Sequence, residues 1–325
     1  MAQSDASRPS TAITAGGMAS PSLQVGCGTA MAHHGEILQG VFPDDDGRLH
    51  RGLLTLPLPG KQSHVTFWPD AGPGIRTRPE GRTKAARAAR LALDALGHPD
   101  AEGCLTIEST IPLGCGYGSS TADVVASIYA IAAAAHSQIS RTTLCRLAVA
   151  AETATDAIAF VGQAVLFAHR KGRVLDYLPG DYPPLYVIGF SSSEDQPVDT
   201  VDMPPARYTS TEIETFRVLR GHVRHAIALQ DARSIGRVAT ASARINQGYL
   251  PKRRYGDFVR LAQTGGGLGV QVAHSGNRMG ILLDAREDSA ADRAESLARA
   301  AEREGFTDII RFAVNADGAP AWVLE

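Results

Sequence analysis

Cysteine is scarce in this chain of 325 residues: Cys27, Cys104, Cys115 and Cys145 are all there are. No two stand at CxxC spacing, which argues against a zinc ribbon or a redox dithiol, and a chain this long needs no disulfide scaffold. Aromatic residues make up only 6 %, and neither charge dominates, with 32 Lys and Arg against 34 Asp and Glu. Such a balance lacks the basic footprint of a nucleic-acid-binding protein. Long apolar runs are missing too. The longest, Ile128–Ala135, is mostly alanine and falls well short of the roughly 18 residues a membrane span requires. Residues 1–21 are rich in Ser, Ala, Pro and Gly without the basic and apolar segments of a signal peptide, so they read as a floppy leader. These absences imply a cytoplasmic protein with neither membrane nor nucleic-acid partners.

What remains is a hydrophobic content of 44 %, enough for one large or two medium domains. Alternation between Leu53 and Trp68 and across Cys104–Ser109 predicts strands, the latter half-exposed as in a sheet covered on one side. Helices are predicted over 83–96, 119–135 and 141–152. A hairpin follows, Gln163–His169 with Arg173–Leu178, and then the linker-like Pro179-Gly180-Asp181-Tyr182-Pro183-Pro184. The pattern restarts with a strand at Leu185–Phe190, helices at 211–229 and 231–246, and the pair Val270–His274 and Met279–Leu283. A helix at 288–304 and the pair Ile309–Val314 and Ala321–Leu324 end it. Helices and hairpins interleave irregularly, so the expected class is α+β in two lobes, 22–182 and 183–325.

The segment richest in chemistry is Pro112-Leu113-Gly114-Cys115-Gly116-Tyr117-Gly118-Ser119-Ser120. Alternate glycines free the backbone to adopt positive φ, and two serines open a helix whose first N–H groups have no partner within it. Such a place suits an anion, a polyphosphate above all. A plain glycine-rich turn capped by serine is the blander reading. A Rossmann loop fits poorly, because the strand before it alternates and no acid lies about 20 residues on. Without Gly-Lys-Ser/Thr there is no Walker A loop.

This PxGxGxGSSxA pattern resembles the phosphate loop of the GHMP kinases, in which leucine usually stands where Tyr117 is here. Gly35-Glu36-Ile37-Leu38-Gln39-Gly40 is similar to the GE(L/I)xQG element of the threonine-kinase branch. Thr264–Val270 resembles the family's C-terminal glycine loop, and Ala273-His274-Ser275-Gly276 is again like that branch. The resemblance implies an N-terminal lobe like ribosomal protein S5 domain 2 and a ferredoxin-like C-terminal lobe. It also implies ATP and Mg²⁺. Carried over, Pro112, Gly114, Cys115, Gly116, Tyr117, Gly118, Ser119 and Ser120 would hold the phosphates, with Lys84 near the nucleotide. Ser120 and Glu152 would ligate Mg²⁺, and Asp156 would take the hydroxyl proton. Glu36 would meet a substrate ammonium group, with His34, Gln39, Gly266 and Gly267 completing the pocket.

Several residues also have plainer readings. Glu152 and Asp156 stand four apart, on one side of a helix if its turn continues. His33, His34 and Glu36 suggest a metal site only weakly, lacking distal partners. Lys252-Arg253-Arg254 reads first as a solvated patch, with contact to ATP phosphates or a substrate carboxylate as the alternative, Arg82 or Lys84 as surface, and His274-Ser275 as hairpin. The expected function is Mg-ATP-dependent phosphorylation of a small alcohol such as L-threonine, in a homodimer. A catalytically silent nucleotide-binding regulator and a decarboxylase of the same superfamily are the alternatives.

Overall fold

The computed structural model describes residues 22–191 and 206–316. The leader and the expected strand Ala321–Leu324 lie outside these residues. Among the described residues, ten strands form one sheet that runs through both halves of the chain. Its centre is a pair of long antiparallel strands, β1 (Gly26–Pro43) and β2 (Leu49–Pro69). Outward from β2 come β4 (Gly103–Ser109) and β3 (Ile75–Arg78), while β5 (Val165–Ala168) and β6 (Arg173–Tyr177) branch from the other end of β2. Outward from β1 come β8 (Gly269–Val272), β9 (Arg278–Asp284), β7 (Leu185–Ser191) and β10 (Thr307–Val314).

Helices α1 (Thr83–Ala95), α2 (Ser119–Ala134) and α3 (Arg141–Glu152) belong to the first half. In the second lie α4 (Ser210–Leu229), α5 (Ala232–Asn246), α6 (Tyr255–Thr264) and α7 (Ala290–Arg303). Helix α2 is apolar nearly all round because it is buried nearly all round. Its alanines let it lie directly on β1, where a Cβ on Gly28 would stand 2.1 Å from the Ala126 carbonyl oxygen. One core takes α1 to α3 together with α4 and α5, Phe42 meeting Phe216 at 5.9 Å between ring centroids. A second, around Phe190, Phe258 and Phe306, lies under α6 and α7.

Most expected helices agree with the structure to within a residue or two. The main surprise is β1, which is buried on both faces from Ala32 to Gly40 and so shows no period-two pattern. Strand β3 lies within the stretch Pro69–Gly81, whose prolines and glycines predict a loop, and α6 was not anticipated, its buried face being only Phe258, Leu261 and Ala262.

The two halves of the sheet meet at a single pair, Glu36 opposite Val272. The register slips there: His33 faces Pro57 and Glu36 faces Thr55, three steps along β1 against two along β2. The extra residue is absorbed at Gly35, whose φ of 63° is left-handed. A Cβ there would come within 2.0 Å of the Gln271 side-chain oxygen. Gly35→Ala is therefore expected to cost about 2 kcal/mol or more, read as a lowered urea midpoint with an unchanged slope.

Candidate active site

The bulge decides which side chains of β1 share a face. By simple alternation His34 would accompany Glu36; with one residue absorbed at Gly35, His33 does instead. His33 Nε2 lies 2.9 Å from Asp156 Oδ2. Asp156 comes from the loop beyond α3, which ends at Glu152 because Thr153 turns left-handed with φ 76°. The chain then runs extended to Asp156, which heads the short turn 157–159 without capping it. Thr155 N–H donates to the His169 carbonyl at 3.0 Å, tying this loop to the end of β5.

Glu36 is gripped from the other half of the chain. The backbone N–H of His274, in the β8–β9 turn, donates to Oε2 at 2.6 Å, and its Nδ1 meets Oε1 at 2.7 Å. Lys252 comes in beside them, donating from Nζ to the Gly276 carbonyl at 2.5 Å. The rings of His33 and His169 stand 6.5 and 5.6 Å from that of His274. One atom each from Glu36, Asp156 and His274 lie within 4.8 Å of one another. Because Glu36 and His274 already satisfy each other, this cluster is an ion-pair network.

Protonation follows from the arrangement. Burial opposes charge on His33, but Asp156, with Glu36 behind it, outweighs that and raises its pKa. Burial likewise works against His274, yet Glu36 and then Asp156 push it up to about 9. Burial alone would raise Asp156; His33, His274 and His169 instead hold it well below the usual carboxylate range. His169 is driven down to about 3 by burial and by His274, so it is neutral. Burial lowers Lys252 to about 8 despite Glu36.

Across the cleft lies the glycine loop. Gly114, Gly116 and Gly118 have φ of 72°, 78° and 71°, and Gly118 is the N-cap of α2 with no side chain to offer its first turn. The N–H groups that open α2 are thus left to a ligand. The loop is held from both sides. His33 N–H donates to the Tyr117 carbonyl at 3.2 Å, and Arg278 Nε donates to the Cys115 carbonyl at 2.7 Å. The Arg278 guanidinium also stacks 4.3 Å over the Tyr117 ring and pairs with Asp308 at 3.2 Å. A Cβ on Gly118 would strike His33 Nε2 at 2.4 Å, so the ring that touches Asp156 also lies against the helix N-terminus. Behind the loop, Ser120 Oγ donates to Glu152 Oε2 at 3.2 Å, while Glu152 Oε1 is buried without a partner. Burial, then the charge of Asp156, raises Glu152 to about 7, with the Thr121 and Thr155 hydroxyls and then Lys84 acting against this.

Residues 83–163 match the GHMP kinases N terminal domain. Over that segment the chain is similar to the GHMP kinases. The L-threonine kinase of Citrobacter freundii is 30 % identical over 182 residues, 55 % of this chain and 62 % of that protein. The chain thus spans about six tenths of the length of that curated relative. Homoserine kinase from Cytophaga hutchinsonii superposes with a TM-score of 0.69 at 17 % identity, covering 90 % of this chain and 95 % of that one. Mevalonate pyrophosphate decarboxylase from Streptococcus pyogenes gives 0.65 at 14 %, covering 93 % and 100 %. The GHMP kinase fold therefore extends through both halves of the molecule.

Against the GHMP kinase pattern, the structure brings together Pro112 to Ser120, Glu152, Asp156 and Glu36, though not as one helical face: Glu152 ends α3 and Asp156 lies in the loop beyond. His34 is elsewhere. It packs between Tyr117 and Phe312 with Nδ1 on Gln271 at 2.5 Å, and burial together with Arg278 holds its pKa near 3. Gln39 serves the fold, its side-chain N–H₂ donating to the Val272 carbonyl at 3.1 Å, its backbone N–H donating to Ser242 Oγ and its carbonyl accepting from Asn246 Nδ2. Gly266 and Gly267 lie beside Arg293, Ala262 and Ile281, off the far end of β8 from His274. That is a strand length of roughly 15 Å away. Lys252, expected on the surface, is buried in the cleft. Arg82 pairs with Asp123 at 3.1 Å, leaving Lys84 exposed. Nothing in the sequence pointed to Arg278 or His169; for His274 the signal was the AHSG element itself.

The pairing of His274 with Glu36 sets a pH signature. A histidine whose folded pKa is raised stabilises fully below its unfolded value of about 6.5, and that stabilisation is lost as pH rises through about 9. Glu36→Gln should cost about 3 kcal/mol near pH 6. Urea titrations at stepped pH should show the gap to the wild type closing by pH 9.5.

Proposed function

We propose that this chain is an ATP-dependent kinase that phosphorylates the hydroxyl of a small hydroxy-amino acid, L-threonine being the first to try. The observation that carries the reading is His33, one ring in contact with both the N-terminus of α2 and the Asp156 carboxylate. The place where phosphate oxygens would rest and the group that would receive a hydroxyl proton are one side chain apart.

In this reading the loop amides and the start of α2 hold the β- and γ-phosphates. The free, buried Glu152 Oε1 beside the Ser120 hydroxyl is a hard-oxygen pair that fits Mg²⁺. When bound there, the ion would offset phosphate charge. Lys84, exposed near Glu152, lies on the nucleotide side. Asp156 is held ionised by His33, so it orients the acceptor hydroxyl by accepting its hydrogen bond, and takes the proton only as the new O–P bond forms. The imidazolium of His33 lies where negative charge gathers on the transferring group.

Glu36 has a different part from the one expected. With its side chain fully buried and both oxygens on His274, it positions that ring and gives no free oxygen to an ammonium group. The cations Lys252 and His274 suit the carboxylate of the acceptor instead. The fold itself, shared with a decarboxylase, favours no particular reaction.

Purified protein should form ADP from ATP and Mg²⁺ in the presence of a hydroxy-amino acid. Absence of ADP with every acceptor would refute the proposal. Ser120→Ala and Asp156→Asn should each lower kcat by about 10²–10³. Melting temperature should stay near the wild-type value for Ser120→Ala, since that hydroxyl bonds only Glu152.

A further inference from the structure

Next to the ionic cluster, on the same side of the β1–β2 ribbon, lies an apolar cavity of about 210 Å³. Met31, Thr55, Pro57, Ile158, Phe160 and Tyr182 are among the residues that enclose it. Thr55 and Pro57 are the cross-strand partners of Glu36 and His33, and opposed residues of an antiparallel pair present their side chains on one face. Ile158 lies two residues beyond Asp156 on the turn that closes the opposite wall. The cavity therefore begins where the charged groups stop.

Its polar neighbours are nearly all engaged with the protein. Tyr182 Oη donates to the Thr55 carbonyl at 2.8 Å, Gln163 Nε2 to the Leu178 carbonyl at 2.6 Å, and Asn315 Nδ2 to the Tyr182 carbonyl at 2.8 Å. The Thr55 hydroxyl is different. It belongs to a residue only 9 % exposed and has no partner. A buried hydroxyl without a partner is costly unless a ligand supplies one.

We propose that this cavity receives the carbon skeleton of the phosphoryl acceptor, so that the preferred substrate is a hydroxy-amino acid with an apolar group of isopropyl to phenyl size beyond its reacting carbon. The assignment rests on the kinase reading for the position of the hydroxyl, at Asp156. Threonine offers one methyl group beyond its reacting carbon. An apolar cavity of about 150 Å³ accommodates benzene, so the space here suits a larger group, with Thr55 Oγ1 as its single polar contact.

The test is a calorimetric titration of the full chain with L-serine, L-threonine, β-hydroxyleucine and β-phenylserine, with ADP formation measured in parallel. Two variants narrow the cavity without touching the charged cluster: Ala164→Phe on its wall, and Val161→Trp at its mouth, where the side chain is 61 % exposed and replacement leaves the core intact. In the wild type, affinity should rise roughly fourfold per added methylene, about tenfold or more from threonine to β-hydroxyleucine. Either variant should abolish that gain while threonine binding stays within about twofold. A flat or reversed series, no binding at all, or equal loss for every acceptor in Val161→Trp would overturn the assignment. Should the size trend hold while no acceptor yields ADP, the cavity stands as a ligand site and the kinase reading falls.

Discussion

Glu36 and Asp156 are buried where the imidazoles that face them compensate for lost water. Burial of a carboxylate costs several kcal/mol unless charge and hydrogen bonds compensate. Here the compensation is reciprocal: His274 holds Glu36 through its backbone and its ring, and His33 holds Asp156. Because Glu36 lies on β1 and His274 in the β8–β9 turn, the ion pair is also the seam between the two halves of the sheet. Loss of the charge balance and loss of the seam are the same event. This explains why a strand in the middle of the molecule carries so many polar side chains.

The glycine loop depends on the same seam. Its glycines allow the backbone shape, yet its placement is set from outside, by His33 N–H on one carbonyl and Arg278 on another. Arg278 comes from the second half of the chain and is itself fixed by Tyr117 and Asp308. The tyrosine at the position where related loops carry leucine thus gains a cation partner, which accounts for a large ring at that place. The glycine-loop side and the ionic side of the cleft share the ring of His33, so a shift in either must be felt by the other.

Charge and apolarity are segregated along β1 and β2. The cations and carboxylates gather around the bulge, and the apolar cavity occupies the next stretch of the same face. A ligand spanning both would present a polar head and a carbon tail. Specificity in such a site comes from the head's register with the charges and the tail's fit to the walls.

Sequence alone determined what local chemistry governs. The glycine alternation of Gly114, Gly116 and Gly118 before two serines announces a left-handed loop that opens a helix, because positive φ and unpaired helix N–H groups are local properties. Most helices could likewise be read, since an amphipathic stripe and its stop signals lie within one segment. The tertiary structure decided everything that required two distant segments to meet. A central strand buried on both faces has no period to read, so β1 was hidden, and with it the bulge at Gly35 that turns His33, and not His34, toward Glu36. Lys252, His169 and Arg278 have no local signature at all. Their roles arise because sheet closure brings distant segments together, Arg278 to the Cys115 carbonyl, the His169 ring to that of His274 and Lys252 to Glu36, where burial and mutual charge, absent from any single segment, set what each can do.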